Sequence, residues 1–293
     1  MTAMILSGKP VADTIEIRTR HSVEKIDDAG GSVTLVVIQV GNDQASNTYI
    51  RNKSKSCKRC GINTLTEKFD DDITQEELIE CIHRLNERKE VTGILVQLPL
   101  PKHIDKDAVL QEILPSKDVD GFTYLNSGKL YTTGRESDSM RPCTAAGVID
   151  MLDYYGVEID GKNCVVVGRS NIVGKPTASL LLDRNGTVTI CHSKTKDLKD
   201  VCKRADILIC AVGKPKFFTV EYIKEGAVVI DVGINRDDNG KLCGDVDFDG
   251  VVDVAGAITP VPGGCGKMTV AELMSNCIAA WKLQNDCGVF DDE

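Results

Sequence analysis

The chain holds no apolar run approaching the roughly 18 residues that a membrane span requires, so no transmembrane helix and no membrane partner are expected. An excess of positive charge is also missing. Lys and Arg number 35 against 44 Asp and Glu, which leaves a formal charge of −9. That argues against nucleic acid as a bulk electrostatic partner, while a local basic pocket stays open. The opening MTAMILSGKP has no basic segment followed by an apolar one, so no secretory signal is expected. Internal repeats and low-complexity segments are lacking. Cys57 and Cys60 form a lone C-x-x-C with no second pair at zinc spacing, so no metal is expected and two thiols on one helix face is the simpler reading.

What is present is ordinary in bulk. The 293 residues suit about two domains and suffice for a hydrophobic core without staples. A composition 42% hydrophobic and 27% charged is that of a soluble globular protein. Most of the twelve cysteines sit inside apolar stretches such as Cys164–Val167 and Ile207–Cys210, where they act as small hydrophobes. Reduced thiols throughout point to the cytoplasm.

Polar helical stretches alternate with β-branched runs from end to end, the pattern of an α/β protein. Helices are expected over Pro10–Asp27, Ala45–Cys60 (stopped by Gly61), from Thr74 with Glu77 completing a capping box, and over Lys267–Leu283. Strands are expected over Ser32–Val40, Asn63–Phe69 and Gly93–Gln97. The polar stretch Thr123–Arg141 interrupts the pattern and reads as the first crossing between domains. Beyond it, a helix from about Thr144 leads into strands at 163–167, 187–191, 206–210 and 227–231 with helices between them, a nucleotide-binding array. The domains read as 1–140, completed by a C-terminal helix over 268–293, and 141–267 as a Rossmann-like, doubly wound parallel sheet.

The segment VVVGRSNIVGKP at 165–176 is strand, turn and helix start, a geometry that aims backbone N–H groups at a diphosphate. It matches G-x-G-x-x-G poorly: Ser170 replaces the second glycine and Gly174 comes one position late. On this loop alone a tight turn with no ligand stays open. The next strand ends in Cys191-His192-Ser193-Lys194, without the acid that would bind ribose hydroxyls in an NAD enzyme. Arg169 and Ser193 suit a ribose phosphate instead, which favours NADP. His192 lies beside that pocket, away from hydride chemistry, and reads as structural.

Tyr49 and Lys53 are four apart and share a helix face. Alone, the pair also fits a surface lysine beside a core tyrosine. Gln97 ends a buried strand, where α/β proteins bind ligands, and can bond to Lys53. Asp120 in KDVDGF (117–122) offers a carboxylate to an edge of N–H donors, and Gly121 permits close approach. Pro99 and Pro101 fix the loop after Gln97.

YIRNK (49–53), VQLPLP (96–101), KDVDGF (117–122), GRSNIVGKP (168–176) and TPVPGGCGKMT (259–269) occur in that order. The set resembles the bifunctional methylenetetrahydrofolate dehydrogenase/methenyltetrahydrofolate cyclohydrolase family over nearly the whole chain. The resemblance implies a homodimer of two-domain subunits, with the folate in the cleft between domains and NADP as hydride acceptor. It implies that Tyr49, Lys53, Val96, Gln97, Leu98 and Pro262, Gly263, Gly264, Cys265 and Gly266 line the folate site, and that Asp120 holds the pterin ring. Gly168, Arg169, Ser170, Ser193 and Ile234 would line the cofactor site. Two departures are small: Ala145 where many members have Pro, and Cys265 where many have Val.

The chemistry implied is oxidation of 5,10-methylenetetrahydrofolate to the methenyl cation, then hydrolysis to 10-formyltetrahydrofolate. Hydride transfer needs stacked rings and no protein acid or base. Hydrolysis needs a proton shuttle, and Lys53 is the candidate, with Tyr49 and Gln97 orienting it. A cationic substrate and desolvation would both lower its pKa. Two alternatives stay open at this point. One is a dehydrogenase of shikimate or malate type, which needs a Lys–Asp pair or a metal-binding carboxylate cluster. The other is a non-catalytic nucleotide-binding protein, against which intact Tyr49, Lys53, Gln97 and Asp120 argue.

Overall fold

The structure, a computed structural model, describes residues 2–133 and 140–285. The far end of the expected crossing (134–139), Cys287 and the end of the C-terminal segment lie outside the described residues. The chain divides into two compact units. One comprises 1–13, 130–135 and 142–269; the other comprises 14–129, 136–141 and 270–293.

The second of these is built on a three-stranded parallel sheet in the order β3-β2-β4, with β2 at Thr34–Val40, β3 at Asn63–Phe69 and β4 at Gly93–Val96. β2 is central and buried along its whole length, which explains its unbroken TLVVIQV run. Helix α2 (Gln44–Cys60) stops at Gly61, whose φ of 80° closes the last turn. Helix α3 (Gln75–Glu87) opens with the capping box expected from Thr74 and Glu77. Its buried Leu78, Cys81, Ile82 and Leu85 pack against Val36, Ile38, Ile94 and Val96. Each fully buried Leu or Ile contributes about 1.5–3 kcal/mol.

Within the polar stretch after Asp120, the structure forms helix α5 (Tyr124–Thr133) where the sequence suggested an irregular crossing. Asn126 explains the difference: its side chain donates to the Pro115 carbonyl and to Asp118, anchoring a segment too polar to advertise a buried face. The last helix, α10 (Cys265–Gln284), carries Trp281, buried against the same unit beside Gly31. Gln284 donates to the carbonyls of Thr92 and Ser116, and Asn276 to those of Val119 and Arg141.

The other unit holds a six-stranded parallel sheet in the order β1-β11-β8-β7-β5-β6. Its strands are β1 (Met4–Ile5), β5 (Asn163–Val167), β6 (Thr187–Cys191), β7 (Ile207–Cys210), β8 (Val228–Asp231) and β11 (Ala257–Ile258). The N-terminal strand β1 joins this sheet as an edge, a pairing too short to read from sequence. One face, with Val165, Val167, Leu208 and Val229, packs on Cys202, Phe218, Ile223 and Val251. Helix α7 (Gly174–Asp183) contacts β5 and β6. The chain runs outward from β5 to β6 and then returns to the other side of β5, so the topological switch lies between β5 and β7. Doubly wound sheets bind ligands at the strand C-termini at such a point.

Candidate active and cofactor sites

In the unit of the three-stranded sheet, Gln39, next to last in β2, donates to Asn47 Oδ1 at 2.7 Å and to the Gly41 carbonyl. Those bonds tie α2 to the sheet and set the face that carries Tyr49 and Lys53. Lys53 Nζ donates to Gln97 Oε1 at 3.0 Å, and Gln97 Nε2 donates to the Leu98 carbonyl at 2.8 Å. The amide is thereby oriented with its oxygen toward the ammonium. The Leu98–Pro99 and Val261–Pro262 peptide bonds are cis. Tyr49 stands one turn before Lys53 and is half-buried, and burial raises its phenol pKa. The Val96 side chain is buried in the core of this unit, one residue before Gln97 at the end of β4.

Asp120 lies in the same region. Burial pushes its carboxyl up to about 6, Lys53 pulls it back, and Asp118 adds to the rise. The carboxylate is crowded by protein atoms yet its residue keeps some solvent exposure, as expected of a concave site. Two neighbours that sequence reading passed over hold its loop. Asp118 is buried and accepts from the backbone N–H groups of Gly121, Phe122 and Thr123 and from Asn126 Nδ2. Lys117, also buried, donates to the carbonyls of Leu85, Asn86 and Arg88 at the end of α3. The segment 117–118 runs beside β4, through Ile94 N–H to the Lys117 carbonyl at 2.8 Å. Gly121 has a φ of 72°, so it is the turn that requires glycine here. The signal was present as KDVDGF, but only its second acid was read.

In the unit of the six-stranded sheet, Gly168 follows β5 with a φ of 144°. A side chain there would overlap the Ala211 carbonyl beyond β7, and one at Gly174 would overlap the Gly168 carbonyl. The two glycines therefore seat the helix start against the switch point, although their spacing departs from the usual fingerprint. Ser170 Oγ accepts from the backbone N–H groups of Val173 (3.2 Å) and Gly174 (3.3 Å), doing locally what a second glycine would not. β5 pairs with β6 so that Val167 faces Cys191. Arg169 and Ser193, each two residues further on, are exposed at neighbouring strand ends. His192 Nδ1 accepts from the Lys194 N–H, and the His192 N–H donates to Thr195 Oγ1; both bonds close the turn after β6. A dinucleotide with an extra ribose phosphate fits these groups: close-approach glycines for the diphosphate, and a guanidinium with a hydroxyl in place of a carboxylate.

The TPVPGGCG segment lies in this unit too. Gly8, where a side chain would overlap the Gly264 carbonyl, packs closely on this segment, and its N–H donates to the Gly263 carbonyl at 2.8 Å. Ile234 is exposed, and its tip lies beside Gly266. Cys265 is buried; burial first and the Asp231 charge second push its thiol up to about 12. Cys57 and Cys60 are buried, and burial and Glu16 push the Cys60 thiol up to about 12, which makes a poor nucleophile. Among the described residues no group of three or more His, Cys, Asp or Glu is arranged to hold a metal.

A parallel doubly wound sheet with a phosphate-binding turn, together with a lysine–glutamine–carboxylate site on a separate unit, defines a two-domain nucleotide-dependent enzyme. Residues 6–120 match the catalytic domain of tetrahydrofolate dehydrogenase/cyclohydrolase and residues 142–285 match its NAD(P)-binding domain, and the chain belongs to that family. It is 55% identical to the bifunctional protein FolD of Lachnoclostridium phytofermentans over 94% of this chain and 97% of that one. The fold is similar to the bifunctional FolD enzyme of Campylobacter jejuni (TM-score 0.93, 43% identity, 97% of this chain and 100% of that one). It is similar to the same degree to the Trypanosoma brucei methylenetetrahydrofolate dehydrogenase-cyclohydrolase, solved with NADP and an inhibitor (TM-score 0.93, 39% identity, 98% of this chain and 100% of that one).

Proposed function

We propose that Tyr49, Lys53, Val96, Gln97, Leu98 and Asp120, with Pro262 to Gly266, bind the folate, and that Gly168, Arg169, Ser170, Ser193 and Ile234 bind NADP. The enzyme oxidises 5,10-methylenetetrahydrofolate to the methenyl form and hydrolyses that product to 10-formyltetrahydrofolate. NADP, when bound, supplies the hydride acceptor. Asp120 accepts N–H donors from the pterin edge and so fixes the ring. In the hydrolytic step water adds to the methenyl carbon, Lys53 as the neutral amine takes the proton that this water loses, and the resulting ammonium gives a proton to the departing nitrogen. Gln97 holds the lysine nitrogen in place through its oxygen, and Tyr49, one turn earlier on α2, helps to orient it. The observation that carries this reading is the Lys53–Gln97 bond of 3.0 Å with the Asp120 charge close by.

The test is a titration of purified enzyme with methylenetetrahydrofolate and NADP, then NAD, in wild type and Arg169→Ala. Wild type should turn over with NADP, and the variant should lose affinity for NADP far more than for NAD, because it loses a charge-assisted contact to the extra phosphate. Equal losses with both cofactors would remove Arg169 from phosphate recognition. We also propose a cytoplasmic homodimer. The eleven described cysteines all carry free thiols, which fits a reducing compartment. β6 is an edge strand with Thr187, Thr189 and Ile190 exposed, a ready surface for a second copy. Light scattering that returns a monomer mass would dismiss the dimer.

A further inference from the structure

Two carboxylates buried at the C-terminal end of the six-stranded sheet have no part in the chemistry above. Asp245 is completely buried. Its Oδ2 accepts from the N–H groups of Val212 (2.6 Å) and Gly213 (3.0 Å), and its Oδ1 from the Lys214 N–H (2.8 Å) and Asn235 Nδ2 (2.8 Å). Asp231 Oδ1 accepts from the N–H groups of Gly233 and Asp245, both at 2.9 Å, and its Oδ2 from the Val246 N–H at 2.8 Å. The Asp231 N–H donates to Thr259 Oγ1 at 2.7 Å. Gly233 and Gly244 leave the room: a side chain at the first would overlap Asp245, and one at the second would overlap Asp231. Both carboxylates therefore sit in cradles that admit no neighbouring Cβ.

The bonds have a direction. Asp245 gathers the turn after β7, which lies at the topological switch beside Gly168, and through Asn235 the turn after β8, which carries exposed Ile234. The Asp231 carboxylate accepts from the Asp245 backbone N–H, and the Asp231 N–H reaches Thr259 just before the PVPGG segment. A buried charge used only for stability could sit anywhere in the sheet; these two join the three loops that converge at the strand ends. We propose that Asp245, backed by Asp231, is a positioning residue for the dehydrogenase half-reaction, setting the loops after β7 and β8 at the separation the bound dinucleotide needs. Burial outweighs the three N–H donors and, with the Asp245 charge adding to the rise, pushes the Asp231 carboxyl up to about 6, so the carboxylate remains the predominant form at neutral pH. The inference rests on the placement of NADP at this sheet end.

Asp245→Asn keeps the shape but turns one oxygen into an N–H donor that faces donors whichever way the amide is placed. The measurements are NADP affinity by direct titration and cyclohydrolase rate on methenyltetrahydrofolate without cofactor. The expected result is NADP binding weakened by about tenfold or more, with cyclohydrolase within about threefold of wild type, since a lost hydrogen bond to a charged group is worth about that much. Asn235→Ala removes one bond of the brace and serves if Asp245→Asn does not fold; it should raise the NADP dissociation constant about threefold or more with hydrolysis kept. Unchanged NADP binding in the folded variant, or equal loss of both activities, overturns the proposal. Arg169→Ala run alongside separates the two failures: if it alone weakens NADP, the cofactor site stands and the brace falls; if neither variant matters, the cofactor placement itself is wrong.

Discussion

In the proposed folate site Lys53 and Asp120 divide the work, and each carries a prediction. Lys53→Met keeps the apolar stem and removes the amine that bonds Gln97. Cyclohydrolase activity should fall by about 10²–10⁴-fold, the usual worth of general acid–base catalysis, while dehydrogenase activity stays measurable. A wild-type rate of methenyltetrahydrofolate hydrolysis in that variant would end the assignment. Asp120 titrates near 6 in place of 3.8 because burial disfavours its charge. As pH falls through about 6 it takes up a proton and ceases to be a full acceptor for pterin N–H groups. Both activities should therefore decline together on the acid side, through a rising KM for the folate, and Asp120→Ala should harm both across the whole range. An acid limb seen in only one activity would place Asp120 in a chemical step. Tyr49, Lys53, Gln97 and Asp120 were legible as candidates because polar groups at a strand end or on one helix face are local patterns. Asp118 and Lys117 were not, since nothing in a sequence separates an acid that binds a ligand from one that binds its own backbone.

At the scale of elements, the loop 117–123 is held by a carboxylate cage in place of regular structure. Asp118→Asn would place an amide N–H against backbone donors, leaving buried groups unpaired at a cost of about 1–3 kcal/mol each. The expected outcome is a lower denaturation midpoint together with weaker folate binding, read by denaturant titration and by KM in both reactions. Weakened folate binding with an unmoved midpoint would mean that Asp118 touches substrate and does not build the loop. Most helices and strands could be read in advance: α2 by its glycine stop, α3 by its capping box, β2 by its β-branched run. Helix α5 could not, because its anchor Asn126 bonds to Pro115 and Asp118, partners that become neighbours only on folding. β1 escaped notice for the same kind of reason: two residues form a strand only because β11, far along the chain, offers an edge.

Across the whole molecule, the chain's late helix α10 contributes most of its length, from Val270 onward, to the unit that begins at residue 14. Trp281 is buried there, with its ring close to Gly31. Trp281→Ala should destabilise the chain by about 3–5 kcal/mol and bring heat inactivation of the cyclohydrolase to lower temperature, followed by circular dichroism and residual rate. Unchanged thermal inactivation would show that α10 is dispensable to that unit. Composition and order of motifs alone determined the α/β class and the nucleotide-binding half, and offered the ribose-phosphate preference and the lysine–tyrosine–glutamine–aspartate set as candidates, because those depend on periodicity and on residue chemistry along short stretches. Only the tertiary structure decided which residues hold those groups in place. Asp231 and Asp245 act through bonds to backbone that comes from distant segments, and a hydrogen bond between segments exists only once the sheet has set their spacing.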